Sequence, residues 1–151
     1  MQITPCLWFD DNAEEAMAFY AGVFPDFEAI DVSRSGPENA VLTATFQMAG
    51  ARFMALNGGP QFPFTEAISF FIPVETQQEV DDLWSALTAD GGQESRCGWL
   101  KDRFGVAWQV VPTALGRLLG DPDREKAGRV LQAMMQMQKI DVPALEAAYR
   151  G

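Results

Sequence analysis

The amino-acid sequence predicts an α+β fold in which a module of strand, helix and further strands occurs twice, followed by a helical extension. Three observations carry that expectation. Alternating apolar residues lead into a capped helix and then into more strands over residues 3–57, and the same order returns over residues 68–112. Beyond Pro112 the apolar spacing becomes helical and stays so. The repeat points to a strand-rich sheet around a shared hollow, and 151 residues suffice for a single domain with one substantial core. Its expected parts are module one at 1–60, module two at 66–112 and a helical tail at 113–151.

In module one, residues 3–9 alternate and stop at Asp10 and Asp11, where a helix can start. Asp11 and Glu14 have capping-box spacing, the first accepting from a helical amide while the second reaches back. The helix runs to about Phe24, with Ala13, Met17, Tyr20 and Phe24 on one buried stripe, and Pro25 ends it. Residues 27–33, 40–48 and 52–57 read as strands, the last two joined by a tight hairpin at Ala49-Gly50. Asn57-Gly58-Gly59-Pro60 breaks the pattern and opens a loop that joins the halves.

Module two starts with a strand at 68–74 and repeats the capping logic at Thr76 and Glu79. The helix that follows carries Val80, Leu83, Trp84 and Leu87 inward, and Gly91-Gly92 is expected to end it in a left-handed C-cap. Residues 93–101 and 105–112 read as strands joined by a turn at Asp102-Arg103-Phe104-Gly105. In the tail, Asp121-Pro122 reads as a cap and a first-turn proline, and Val130, Leu131, Met134, Met135 and Met137 form a broad apolar stripe. A last helix is expected over 143–149. The stripe is expected to dock on its own subunit, with a partner subunit as the alternative.

Eleven basic and twenty-one acidic residues leave a net charge of −10, which repels phosphate backbones and anionic lipid, so neither nucleic acid nor a membrane surface is an expected partner. No apolar run is long enough to span a bilayer, and the start lacks a basic leader. Two cysteines, Cys6 and Cys97, fit reduced thiols, so a cytoplasmic location is expected. There is no histidine, which removes the commonest metal ligand and proton shuttle.

Alternation divides each strand into two faces. Met54 with Leu56, then Ile68, Phe70 and Ile72, then Val106, Trp108 and Val110 are expected to lie under the helices. The opposite faces carry Thr4, Cys6 and Trp8; Phe53, Ala55 and Asn57; Ser69 and Phe71; and Ala107, Gln109 and Val111. Small and polar residues among aromatics suit a ligand-lined hollow, while the plainer reading has Thr4, Ser69 and Gln109 satisfying one another inside a barrel. Cys6, Trp8, Ala55, Asn57, Ser69, Phe71, Trp99 and Gln109 are the expected ligand-binding residues for an unidentified small molecule.

The stretches FDDNAEEAMAFYAGVFP at 9–25, FMALNGGP at 53–60 and CGWLKDRFGVAWQVVP at 97–112 resemble the PhnB-like, 3-demethylubiquinone-9 3-methyltransferase-like branch of the vicinal oxygen chelate superfamily, which includes glyoxalase I, bleomycin-resistance proteins and extradiol dioxygenases. The resemblance spans essentially the whole chain. It implies two βαβββ modules forming a curved mixed sheet around a cleft, in a homodimer. It also implies metal-ligand positions at Thr4 or Pro5, Ala55, Ser69 and Gln109. Only Gln109 is of a type that the superfamily's metal enzymes use, so no metal is expected. No cofactor is expected either, since no glycine-rich turn joins a strand to a helix.

Three functions remain open on these residues. The first is a metal-independent small-molecule-binding protein. The second is an enzyme on an aromatic or quinone-like substrate, with Cys97 as nucleophile or a carboxylate as acid or base. The third is an interaction protein that uses its helical tail. Cys6 reads more readily as a small buried apolar residue than as a nucleophile. Asp102 reads as closing its turn, and the glycines at 58 and 59 either permit a bend or offer amides to an anion.

Overall fold

The computed structural model describes Met1–Gly151. The chain divides into two compact units, Met1–Phe64 and Thr65–Gly151. Each contains a βαβββ module built on a four-stranded mixed sheet.

In the first unit, β1 (Cys6–Phe9) leads into α1 (Ala13–Val23), followed by β2 (Glu28–Ser35), β3 (Ala40–Met48) and β4 (Ala51–Asn57). The sheet order is β1-β4-β3-β2, with β1 parallel to β4 and the remaining pairs antiparallel. Ala13, Met17, Tyr20 and Phe24 are buried, as their spacing requires. The first strand is shorter than alternation suggested, and Ile3 lies exposed before it. Helix α1 has no capping box: Asn12 is the N-cap without a side-chain bond. The amide of Ala13 donates instead to Oδ1 of Asn57 at 2.9 Å, from 44 residues away.

Ala49 and Gly50 turn the β3–β4 hairpin with φ of 48° and 72°, as a two-residue type I′ turn demands. Both turn amides donate to the carboxylate of Asp26 at 2.8 Å. These bonds, Gly50 first and then Ala49, hold the Asp26 carboxyl below its ordinary range. A depressed folded value means that the stabilisation is complete above the unfolded value of 3.8 and is lost as pH falls through the folded one. Asp26→Asn is therefore expected to lower the urea midpoint at neutral pH, with the gap to wild type closing only in strong acid. A gap independent of pH would show that the carboxylate charge contributes nothing.

In the second unit, β5 (Phe70–Val74) and α2 (Gln77–Leu87) precede β6 (Gln93–Glu94), β7 (Trp99–Lys101) and β8 (Ala107–Pro112), in the order β5-β8-β7-β6. The Thr76–Glu79 capping box is present in both directions. Helix α2 ends through a short 3₁₀ turn in which Asp90, at φ 55°, is the left-handed residue, so Gly91-Gly92 is not the simple C-cap expected. The strand expected at 93–101 is broken by a turn in which Cys97 and Gly98 have φ of 57° and 84°. Ile68, expected under a helix, lies outside β5 and is exposed.

The tail forms α3 (Thr113–Leu119), α4 (Arg124–Met134) and α5 (Val142–Arg150). Asp123, not Asp121, caps α4, its carboxylate accepting from the amides of Glu125 and Lys126. Asp121 instead accepts from the Tyr149 hydroxyl at 2.7 Å. Leu115, Leu118, Val130, Ile140 and Leu145 form the tail's core, with Val111, Met134 and Met137 packed against it. Of the expected stripe, Leu131 and Met135 remain exposed. Gln77 at the start of α2 clamps the tail, donating to the Ile140 carbonyl and accepting from the Val142 amide. Lys139 pairs with Asp81 on the same helix.

Candidate functional site

Helix α2 buries Val80, Trp84 and Leu87 and packs on β7 and β8. Beneath it lie Leu100, Trp108 and Val110, all close to fully buried. Alternation then sends Trp99, Gln109 and Val111 to the other face. Register places Phe71 beside Gln109 and Gln109 beside Trp99, so an amide sits between two aromatic rings on adjacent strands. Gln109 Nε2 donates to Ser69 Oγ at 2.8 Å. Phe71 is 57 % exposed, while Ser69, Trp99 and Gln109 are half-buried. Four expected ligand residues thus come together on one open face.

The turn that leads into β8 is built on Asp102, 2 % exposed. Its Oδ1 accepts from the amides of Phe104 at 2.9 Å and Val106 at 3.0 Å, and its Oδ2 accepts from Trp108 Nε1 at 2.9 Å. The carboxylate closes the turn and anchors the core indole, which fixes the strand that presents Gln109.

In the first unit the two faces of β4 are the reverse of the expectation. Ala55 is fully buried and Phe53 nearly so, paired with Ala44 and Phe46 on the face that α1 covers. Asn57 is not a ligand-facing residue: besides holding the start of α1, its Nδ2 donates to the Val41 carbonyl at 2.9 Å. The open face carries Cys6, Trp8, Met54 and Leu56, with Thr43 and Thr45 from β3. Met54, Leu56, Thr43 and Thr45 were not expected there. A two-residue hairpin at Ala49-Gly50 is the signal for them, because it pairs Phe46 with Phe53 and therefore puts Ala55 with the apolar Ala44.

Trp8 donates from Nε1 to the Gly59 carbonyl at 2.8 Å and meets Phe62 edge-on at 4.9 Å. A Cβ on Gly58 would fall 2.3 Å from the indole, so the glycine makes room for Trp8. The amides of Gly58 and Gly59 donate to the carbonyls of Phe9 and Asp10, which overturns the anion-binding alternative. Cys6 is exposed, not buried, and partial desolvation raises its pKa, so the thiol stays protonated at neutral pH. Cys97 directs Sγ to the Met134 carbonyl at 3.7 Å, and its amide donates to the Met137 carbonyl at 2.9 Å.

The residues at the metal-ligand positions do not fit a divalent cation. Ala55 offers a methyl group buried under α1, and Ser69 and Gln109 supply a hydroxyl and an amide bonded to each other. No group of three His, Cys, Asp or Glu residues is arranged to hold a metal ion.

A family model described as 3-demethylubiquinone-9 3-methyltransferase matches residues 1–111. The Bacillus cereus PhnB protein is 32% identical, with a TM-score of 0.68 over 74% of this chain and 99% of its own. A protein of solved structure from Pseudomonas aeruginosa is 26% identical, with a TM-score of 0.60 over 74% of this chain and 97% of its own. A variant of the fosfomycin resistance protein FosX from Listeria monocytogenes, complexed with Mn(II) and 1S,2S-dihydroxypropylphosphonic acid, is 20% identical and shares the fold at a TM-score of 0.54, covering 73% of this chain and 90% of its own. No curated protein matches the chain. No helix is long and apolar enough to cross a membrane.

Proposed function

The chain belongs to the 3-demethylubiquinone-9 3-methyltransferase, PhnB-like family of the vicinal oxygen chelate superfamily, and on that premise we propose that it binds a small, uncharged, planar organic molecule without a metal. The row of Phe71, Gln109 and Trp99 carries this reading. Two rings offer stacking surface, and beyond its bond to Ser69 the Gln109 amide retains one N–H and an acceptor oxygen for a ligand carbonyl or hydroxyl. A quinone matches that set, since its ring is flat and its carbonyls accept hydrogen bonds. The net charge of −10 disfavours anions.

Methyl transfer from a nucleotide-like cofactor has less support. The connections before α1 and α2 are Asp10-Asp11-Asn12 and Glu75-Thr76, with no glycine to admit a phosphate or ribose. Nucleophilic work by Cys97 is disfavoured by its turn toward Met134, and an interaction role for the tail by the burial of Val130, Ile140 and Leu145 within it. Two free thiols accord with a cytoplasmic place.

Native mass spectrometry of protein purified without added metal is expected to give a metal-free homodimer. Titration with 2,3-dimethyl-1,4-naphthoquinone, whose quinone ring has no free position for thiol addition, is expected to quench tryptophan fluorescence. Trp99→Ala and Gln109→Ala should each weaken that binding about tenfold, the worth of one stacking or hydrogen-bonding contact of about 1.4 kcal/mol. Stoichiometric metal surviving buffer exchange, or binding indifferent to both substitutions, would overturn the reading.

A further inference from the structure

The tail lies beyond the residues that the family model matches. The family model stops at residue 111, and the Bacillus cereus PhnB protein is matched over 99% of its length while covering only 74% of this chain. The tail begins where β8 ends, at Pro112, and its core is continued by Val111, Met134 and Met137.

Val111 is two residues beyond Gln109 on β8 and on the same face, so their Cα atoms are about 7 Å apart along the strand. Val111 packs against the tail core, so the tail borders the face that carries Gln109 at the end of β8. A second attachment lies in the turn that precedes β7. The amides of Cys97 and Gly98, immediately before Trp99, donate to the carbonyls of Met137 at 2.9 Å and Gln138 at 2.8 Å. Met137 and Gln138 are thus held at the turn that precedes β7, and Met134 and Met137 pack against the same tail core as Val111 near the end of β8.

Resting on the ligand reading above, we infer that the tail forms the end wall of that site and that Met134 and Met137 set the length of the planar ligand it accepts. Both side chains are half-buried against the tail core. Methionine is unbranched and adaptable, so such a wall yields to shape while limiting length.

The test compares duroquinone, with one ring, and 2,3-dimethyl-1,4-naphthoquinone, with two, by fluorescence titration of the full-length protein. Met137→Ala is expected to raise the preference for the larger quinone about fivefold or more, and Met134→Ala in the same direction, while Gln109→Ala weakens both ligands together. A preference unchanged within about twofold in both methionine variants, with Gln109→Ala still weakening binding, would overturn the wall and leave the ligand face standing. Failure of wild type to bind either quinone would remove both. Wild-type protein carrying ¹³C-methyl methionine gives a readout independent of the variants' folding. Addition of naphthoquinone should shift the Met134 and Met137 methyl signals and leave those of the buried Met17 and Met48 in place; unmoved tail signals on a protein that binds would sink the inference.

Discussion

Gly98→Ala is expected to destabilise the second unit by about 3 kcal/mol or more, the sum of a left-handed backbone penalty and overpacking against a fixed wall. Gly98 has φ 84°, and a Cβ there would lie 2.9 Å from the Val110 carbonyl oxygen and 3.2 Å from Ile140 Cγ1. The first neighbour is backbone and cannot step aside. Gly36 is the internal control: its φ is 77°, but nothing lies within 4 Å of its would-be Cβ. Gly36→Ala should therefore show only the conformational part, about 1 kcal/mol. Urea unfolding of the two variants separates the contributions. Equal losses would mean that Gly98 is not pressed against β8. Because the Gly98 amide also holds Gln138, faster hydrogen exchange over residues 134–142 should accompany the loss.

Asp102→Ala is the other substitution of large effect, expected at about 3–5 kcal/mol. It strips the acceptor from two backbone amides and from the indole N–H of Trp108, which is 1 % exposed. Asp102→Asn should recover only part of this. Its one carbonyl oxygen can serve the amides of Phe104 and Val106, but its NH₂ then faces the Trp108 N–H, a donor against a donor. Chemical denaturation followed by tryptophan fluorescence distinguishes the cases. A fully stable Asn variant would show that the charge is irrelevant and that shape alone closes the turn.

Both positions lie in CGWLKDRFGVAWQVVP, a stretch that also carries the family resemblance. The structure gives its residues separate tasks. Cys97 and Gly98 hold the tail, Trp99 and Gln109 face outward, Asp102 closes the turn, and Trp108 anchors the sheet beneath α2. The thiol that looked most like a nucleophile belongs to the attachment of the tail.

Local chemistry by itself determined much of this protein. Thr76 and Glu79 are three residues apart and make their capping box without help from elsewhere, Pro25 ends α1 because it cannot continue it, and Ala49-Gly50 turns a hairpin where two strands abut. The composition disfavoured nucleic acid, and the absence of histidine removed the commonest metal ligand and proton shuttle. What the tertiary structure alone decided are choices between locally equal alternatives. Alternation within β4 separates Phe53 and Ala55 from Met54 and Leu56, but both pairs are apolar, so the covered pair is selected by register with β3, whose Phe46 and Ala44 lie under α1. The start of α1 offered Asp11 as a cap and received Asn57 from the far end of the sheet. The 93–101 segment had strand character throughout, yet it turns at Cys97 and Gly98, where its amides meet a tail some 40 residues later. A side chain's neighbours in sequence constrain its backbone, whereas burial is conferred by elements that arrive from a distance; the α2 capping box and the hairpin turn could therefore be read in advance, whereas the cap of α1 and the covered face of β4 were set by residues far along the chain.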